Sequence, residues 1–512
     1  MFETVRLMHA DGRTVLLVEQ NARAGLRLAM HRVVFENGRV RLTGTGQEVI
    51  EHPEIGALYF GGASRRRQPR RERRHGAGAR HNGHGRRRTT SYGGPMMAQP
   101  IPARPHAPGR MSVDFEERVD FDRLRAYRLA RAREALDRSD LGALLCFDVN
   151  NVRYLTSTQI GEWVRDKVCR YSLLTTGGEP MIWDFGSAAK HHRLYAPWLL
   201  PENSRAGMLG LRGSVAPDAG LMDAAAAEIK ALLDDVGLGD APVGVDIAEV
   251  PMLRALERAG IDVRDGQQVM LDAREIKSHD ELLLLTMSAA MVDGAYQLIS
   301  EILKPGIREN EVVAAANDYL YRQGSDDVEA INAVSGERCS PHPHNFSDRL
   351  IRPGDQAFFD IIQSYNGYRT CYYRTFGVGR ATVSQRDAYT RAREWIDSAI
   401  ALVKPGVGTD EIARVWPRAE EFGFENEMEA FGLQFGHGLG LALHERPIVS
   451  RLNSLDHPIE LKEGMVFALE TYCPASDGYS AARIEEEIIV TEDGPRVITL
   501  FPADELFVAN EY

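Results

Sequence analysis

Ionisable side chains interrupt apolar, strand-like runs late in the chain: Asp360 in AFFDII, His437 in FGHGLGLALHE, Glu470 in MVFALETY and Glu485 in AARIEEEI. A carboxylate on an otherwise apolar strand is costly unless something compensates its charge. Divalent cations do so, and oxygen ligands with one imidazole suit Mn, Fe, Co or Zn. Singly, each residue has a plainer explanation: Glu485 stands in an acidic run that water would solvate, and His437 fits a hydrogen-bonded histidine at a glycine-rich bend. Three further histidines lie close in sequence: His342 and His344 upstream of Asp360, and His444 after His437. Histidine suits proton transfer because its pKa lies near working pH.

The elements that must position these groups are legible as an internal echo. ILKPGIRENEVVAAA around Lys304-Pro305-Gly306 recurs as LVKPGVGTDEIARVW around Lys404-Pro405-Gly406, with strand-rich segments after each copy. A duplicated α/β unit is the expected signature. Ser278 and Glu281 form a capping box that opens a long helix through Ile302. Before it, 113–276 reads as an alternating α/β domain. Its expected elements are a helix over Phe121–Arg138, strands at Ala143–Phe147, Tyr171–Thr176, Pro180–Asp184 and Val243–Asp246, and a helix over Met222–Val236 stopped by Gly237. NNVRYLT (Asn150–Thr156) reads as a turn entering another strand.

The chain has 512 residues and a net charge of -12, unevenly spread. Residues 1–110 hold 20 Lys and Arg against 8 Asp and Glu, so residues 111–512 carry 41 against 65. So acidic a body disfavours nucleic acid. No apolar run approaches the length of a bilayer span and no secretory signal opens the chain, so neither membrane nor export is expected and the cytoplasm is. The scattered Cys146, Cys169, Cys339, Cys371 and Cys473 form no CxxC and read as free thiols. Segment 63–112 is rich in Arg, Gly and Pro, and its self-repelling charge predicts a disordered linker. VLLVEQNARAGLRLA, ENGRVRLTGTGQEV and LYFGG within 1–62 resemble the C-terminal tail of a branched-chain amino-acid ABC transporter ATP-binding subunit, but without a P-loop. Residues 1–110 are therefore expected to be dispensable.

GHGLGLALHE, EGMVFALE and GYRTCYYRTF carry a second resemblance, which spans about 113–512. They resemble the pita-bread family of methionine aminopeptidases, prolidases and creatinases. The resemblance implies an α/β and α+β chain, with a creatinase/prolidase-like N-terminal domain over 113–276 and a pita-bread catalytic domain over 277–512. The family pattern runs Asp, a second Asp eleven residues on, His, then two Glu. Asp360, His437, Glu470 and Glu485 fill four of these places, and Cys371 stands where the second Asp is expected. A thiolate is softer than a carboxylate and does not bridge two ions in the same way. A thiolate-containing centre, a centre of one ion instead of two, and no metal at all all remain open.

The resemblance also implies a proton shuttle upstream of Asp360, for which spacing favours His342 and the His-Asn context favours His344. It gives His444 the task of holding the substrate carbonyl, and lets Glu470 double as ligand and proton acceptor. It implies a homodimer and a small-molecule or peptide substrate. The expected activity is metal-assisted hydrolysis of C–N bonds, similar to Xaa-Pro aminopeptidase or prolidase. Creatinase-like amidinohydrolysis or dimethylsulfoniopropionate-lyase-like cleavage, with reduced or no metal dependence, is the alternative, and a catalytically inactive binding module the next. Against the last, a dead site has no physical reason to keep a cluster of like charges.

Overall fold

In a computed structural model of the protein the residues described are 119–512, except 162–167, 209–212 and 431–434, together with strands Arg32–Glu36 and Arg39–Gly44. The chain forms two compact units, Met1–Gln99 and Pro100–Tyr512. In the first, the two strands pair antiparallel with an irregularity at Val34/Phe35. The remaining expectations for 1–62 and the linker 63–112 lie outside the described residues.

Among the described residues of the second unit the first element is helix Phe121–Asp137, whose N-cap Asp120 accepts from the backbone N–H groups of Asp122 and Arg123. A six-stranded sheet follows, in the order Ser204–Ala206, Met181–Asp184, Tyr171–Thr175, Ala143–Cys146, Val243–Val245, Val263–Asp265. The segment expected to be a turn and strand at NNVRYLT is instead the helix Val149–Thr156. Asp148 caps it by accepting from Asn150 N–H, and Val152 and Leu155 fall one helical turn apart on its buried side. Local β-branched composition loses to a cap and a 3.6-residue burial period.

The repeated halves follow one plan. The capping box at Ser278 and Glu281 forms and opens helix His279–Ile302. Gly306 and Gly406 adopt φ of +94° and +90°, conformations that favour glycine. Their N–H groups donate to Ile351 O at 2.8 Å and Leu461 O at 2.9 Å. The helix after the first turn runs Glu309–Gln323, whereas the one after the second is only Thr409–Ala413. Pro417 follows closely and cannot continue a helix. The first half carries a four-stranded sheet in the order Phe507–Ala509, Tyr368–Val378, Gln356–Tyr365, Asp327–Ser335. The second carries five, in the order Glu445–Val449, Gly436–Gly438, Val466–Pro474, Ala481–Thr491, Gly494–Val497.

Among the described residues, His279–Ile302 alone is long and apolar enough to cross a membrane, contrary to the expectation that no apolar run approaches that length. Its Leu284, Leu285, Val292, Tyr296 and Ile299 are fully buried, Asp280 pairs with Arg123 at 2.6 Å, and Tyr296 donates to Phe359 O and Tyr372 O. Its apolar length is that of a core helix seated against the first sheet.

Candidate metal and proton-transfer site

The site forms where hairpin Gln356–Val378 of the first half meets hairpin Val466–Thr491 of the second. Thr375 Oγ1 donates to Arg483 O at 2.6 Å, and Arg374 Nη1 to Glu485 O at 2.5 Å. Thr370 Oγ1 and Cys371 N–H both donate to Glu487 Oε1, at 2.6 and 2.7 Å. Alternation along Ala481–Thr491 sends Arg483, Glu485 and Glu487 to the face between the hairpins and Glu486 to the other, where Arg374 and Arg393 pair with it at 2.8 and 2.9 Å. Glu470 and Glu485 stand directly opposite each other across the strand pair.

Of the expected ligands, Cys371, His437 and Glu485 converge, with one ligand atom from each within 4.8 Å of the others. All three are buried. His437 Nδ1 lies 3.3 Å from Gly438 O, an acceptor only, and Nε2 lies 3.7 Å from Glu485 Oε1, an arrangement that suits the tautomer protonated on Nδ1. A backbone acceptor of this kind fixes the tautomer in which Nε2 can ligate. Both Glu485 oxygens are buried with no hydrogen-bond partner among the described residues. An orphaned buried carboxylate facing a thiol and an imidazole is a donor set that fits one borderline-soft divalent ion.

Asp360 and Glu470 are close by but otherwise engaged. Asp360 Oδ2 accepts from Asn332 Nδ2 at 2.9 Å, and Cys371 Sγ lies 3.4 Å from Oδ1. Glu470 is salt-bridged to Arg483, whose guanidinium lies over the Tyr373 ring at 4.1 Å and donates through Nη1 to His342 Nε2 at 2.6 Å. Burial, then Asp360, pushes Glu470 up to about 7 against the pull of Arg483. Burial first, then Glu470 and Asp360, drives Glu485 well above the ordinary carboxylate range, and burial raises Asp360 and the Cys371 thiol as well. Such a set of proton-retaining acids is relieved by a bound cation, which displaces the protons.

The histidines flank this cluster. The His342 and His344 ring centroids are 4.6 Å apart, as are those of His437 and His444. Burial, helped by Arg483, lowers His342 to about 2, so its Nε2 remains an acceptor occupied by the guanidinium. His344 and His444 are exposed, and each is lowered chiefly by partial desolvation and raised by Asp360. Sequence reading did not single out Arg483, Tyr373, Asn332 or Glu487. Arg483 was findable, because a basic residue two positions before a strand glutamate shares its face. Asn332 comes from another strand, and only sheet pairing places it opposite Asp360.

Two repeated α/β halves around a buried cluster of carboxylates and an imidazole are the architecture of a pita-bread metallohydrolase, with the Cys371 thiol as this chain's departure. Residues 284–492 match metallopeptidase family M24. The probable dipeptidase PepE of Mycobacterium tuberculosis is 31% identical over 265 residues, covering 50% of this chain and 68% of that protein. The dimethylsulfoniopropionate lyase DddP of Roseovarius nubinhibens is 27% identical over 401 residues, covering 75% of this chain and 87% of that protein. The solved structure of dipeptidase PepE from Mycobacterium ulcerans matches with a TM-score of 0.60 at 25% identity, over 77% of this chain and 100% of that one. The chain belongs to metallopeptidase family M24.

Proposed function

We propose that this protein hydrolyses C–N bonds in small amino-acid-like or peptide substrates, of the Xaa-Pro dipeptide kind, with metal assistance. The observation that carries the reading is Glu485, whose two buried, unpartnered oxygens face Cys371 and His437. These three side chains would hold an ion, Zn, Fe or Co before Mn because of the thiolate, with Asp360 beside them and Glu470 in reserve for a second. When bound, the ion supplies Lewis-acid polarisation of the scissile carbonyl and acidifies water. Glu470, raised to about 7, accepts and returns a proton near neutral pH, while Arg483 holds its carboxylate in place. His444 donates a hydrogen bond to the substrate carbonyl. Of the upstream pair, His344 is the shuttle, because His342 Nε2 is held by Arg483. The working form is a cytoplasmic homodimer in which 277–512 is the catalytic domain and 113–276 its N-terminal companion. Residues 1–62 are an ABC-transporter ATPase fragment joined by linker 63–112.

A second reading, cleavage of dimethylsulfoniopropionate or a related small acid, is favoured by the lyase relative, whose likeness extends over 75% of this chain rather than the 50% covered by the dipeptidase. One experiment separates the two. Purified protein is analysed for bound metal, then assayed on Xaa-Pro dipeptides and for dimethyl sulfide release, before and after chelation. Metal-dependent dipeptide hydrolysis is the expected result. Dimethyl sulfide release without dipeptide turnover would transfer the assignment to the lyase reading.

A further inference from the structure

We infer that Glu445 is a positioning residue for His444, acting through a buried ion pair with Lys277 that ties the catalytic loop to the segment preceding the long helix His279–Ile302. The inference rests on the proposed role of His444. Among the described residues the His444 ring makes no hydrogen bond, so its place is set by the backbone on either side. The next residue is the anchor. Glu445 is buried, Oε2 accepts from Lys277 Nζ at 3.0 Å, Oε1 accepts from Ala442 N–H at 3.0 Å, and Arg274 Nε approaches Oε1 at 3.6 Å. Arg274 and Lys277 are themselves buried, and Arg274 Nε and Nη1 have no hydrogen-bond partner among the described residues. Lys277 in turn donates its backbone N–H to Gly464 O at 2.9 Å.

The last two glycines of GHGLG take their physical reason from this anchor. A Cβ on Gly440 would stand 2.5 Å from Glu445 Oε2 and 2.6 Å from Oε1, and one on Gly438 would stand 2.3 Å from Arg446 O. The loop therefore folds back until its backbone touches the Glu445 carboxylate and the Arg446 backbone. Its far side is pinned to the strand that carries Cys371, because Arg369 N–H donates to Gly440 O at 2.8 Å. His444 thus follows a loop anchored on both sides and precedes the buried Glu445, with its ring 4.6 Å from that of His437. Displacing such a group by about 1 Å costs roughly 100-fold in rate.

The test uses the full chain with its metal. Glu445→Gln should lower kcat by roughly 10- to 100-fold with little change in KM and unchanged metal content, since no ligand is touched. In a His444→Ala background the same change should add almost nothing, because a positioning residue has nothing left to position. Additive losses in that cycle would make Glu445 merely structural and overturn the inference. If Glu445→Gln leaves Lys277 and Arg274 unpaired and unfolds the protein, Arg274→Met/Lys277→Met/Glu445→Gln removes the three buried charges together and the same cycle is run on it. Protein labelled with 13C at histidine Cε1 supplies a readout independent of substrate, with His444→Ala assigning the resonance. The His444 signal should shift or broaden in the Glu445 variants while that of His342 stays in place. An unmoved His444 signal refutes the inference, and a moved one in a protein that turns over no substrate refutes only the assigned reaction.

Discussion

The two halves of the pita-bread unit share one backbone plan, and around the site they handle buried charge differently. In the first half, Asp360 is satisfied by neutral donors: Asn332 at 2.9 Å, with the Cys371 thiol 3.4 Å away. In the second half three buried carboxylates meet permanent cations, Glu470 with Arg483, Glu486 with Arg374 and Arg393, and Glu445 with Lys277, while Glu487 takes the neutral donors Thr370 Oγ1 and Cys371 N–H. Glu485 stands apart, buried and with neither oxygen hydrogen-bonded among the described residues. A duplicated fold therefore does not duplicate its electrostatics. Around the site the second half pairs carboxylates with arginine and lysine, and the carboxylate left bare is the one whose burial a bound cation would relieve.

The sharpest way to break this comparison is at the bare carboxylate. Glu485→Gln is expected to abolish both metal binding and turnover, while Asp360→Asn, beside the cluster, lowers them by roughly 10- to 100-fold. Elemental analysis with kcat/KM on the two proteins decides, and equal losses would erase the distinction between the halves. Stability should separate them next. Arg483→Met strands Glu470 and is expected to cost about 3–5 kcal/mol, whereas Asn332→Ala, which removes one neutral donor from Asp360, costs about 1–3 kcal/mol. Urea midpoints at fixed pH and metal concentration measure both.

A milder change concerns ion preference. Cys371→Asp should move selectivity from Zn towards Mn, and Cys371→Ser should lower affinity for either. Substitution of Co into the wild type should give a thiolate charge-transfer absorption that both variants lack. Its absence from the wild type would remove Cys371 from the ligand set. The smallest effect is one of pH. The Glu445 carboxyl is held below its ordinary value by Lys277 and Arg274, in spite of burial. A depressed folded pKa gives stability that is present above the unfolded value of about 4.3 and lost as pH falls through the folded one. The stability difference between wild type and Lys277→Met/Glu445→Gln, read from denaturant midpoints, should therefore shrink as pH is lowered below about 4.

Sequence alone determined the repeated halves, because a KPG turn with a left-handed glycine and an acidic helix start is local chemistry that reads the same way wherever it occurs. It also determined which residues are out of place, since a carboxylate on an apolar strand announces its cost without a structure. It misjudged NNVRYLT, where a cap at Asp148 and the burial of Val152 and Leu155 outweighed β-branched composition. Tertiary structure decided the partners. Asn332 reaches Asp360 from 28 positions away, Arg483 reaches His342 from 141, and Lys277 reaches Glu445 from 168. Which carboxylate is neutralised internally and which is left for an ion depends on what the fold packs against each one. That is long-range electrostatics, and neither spacing nor periodicity encodes it.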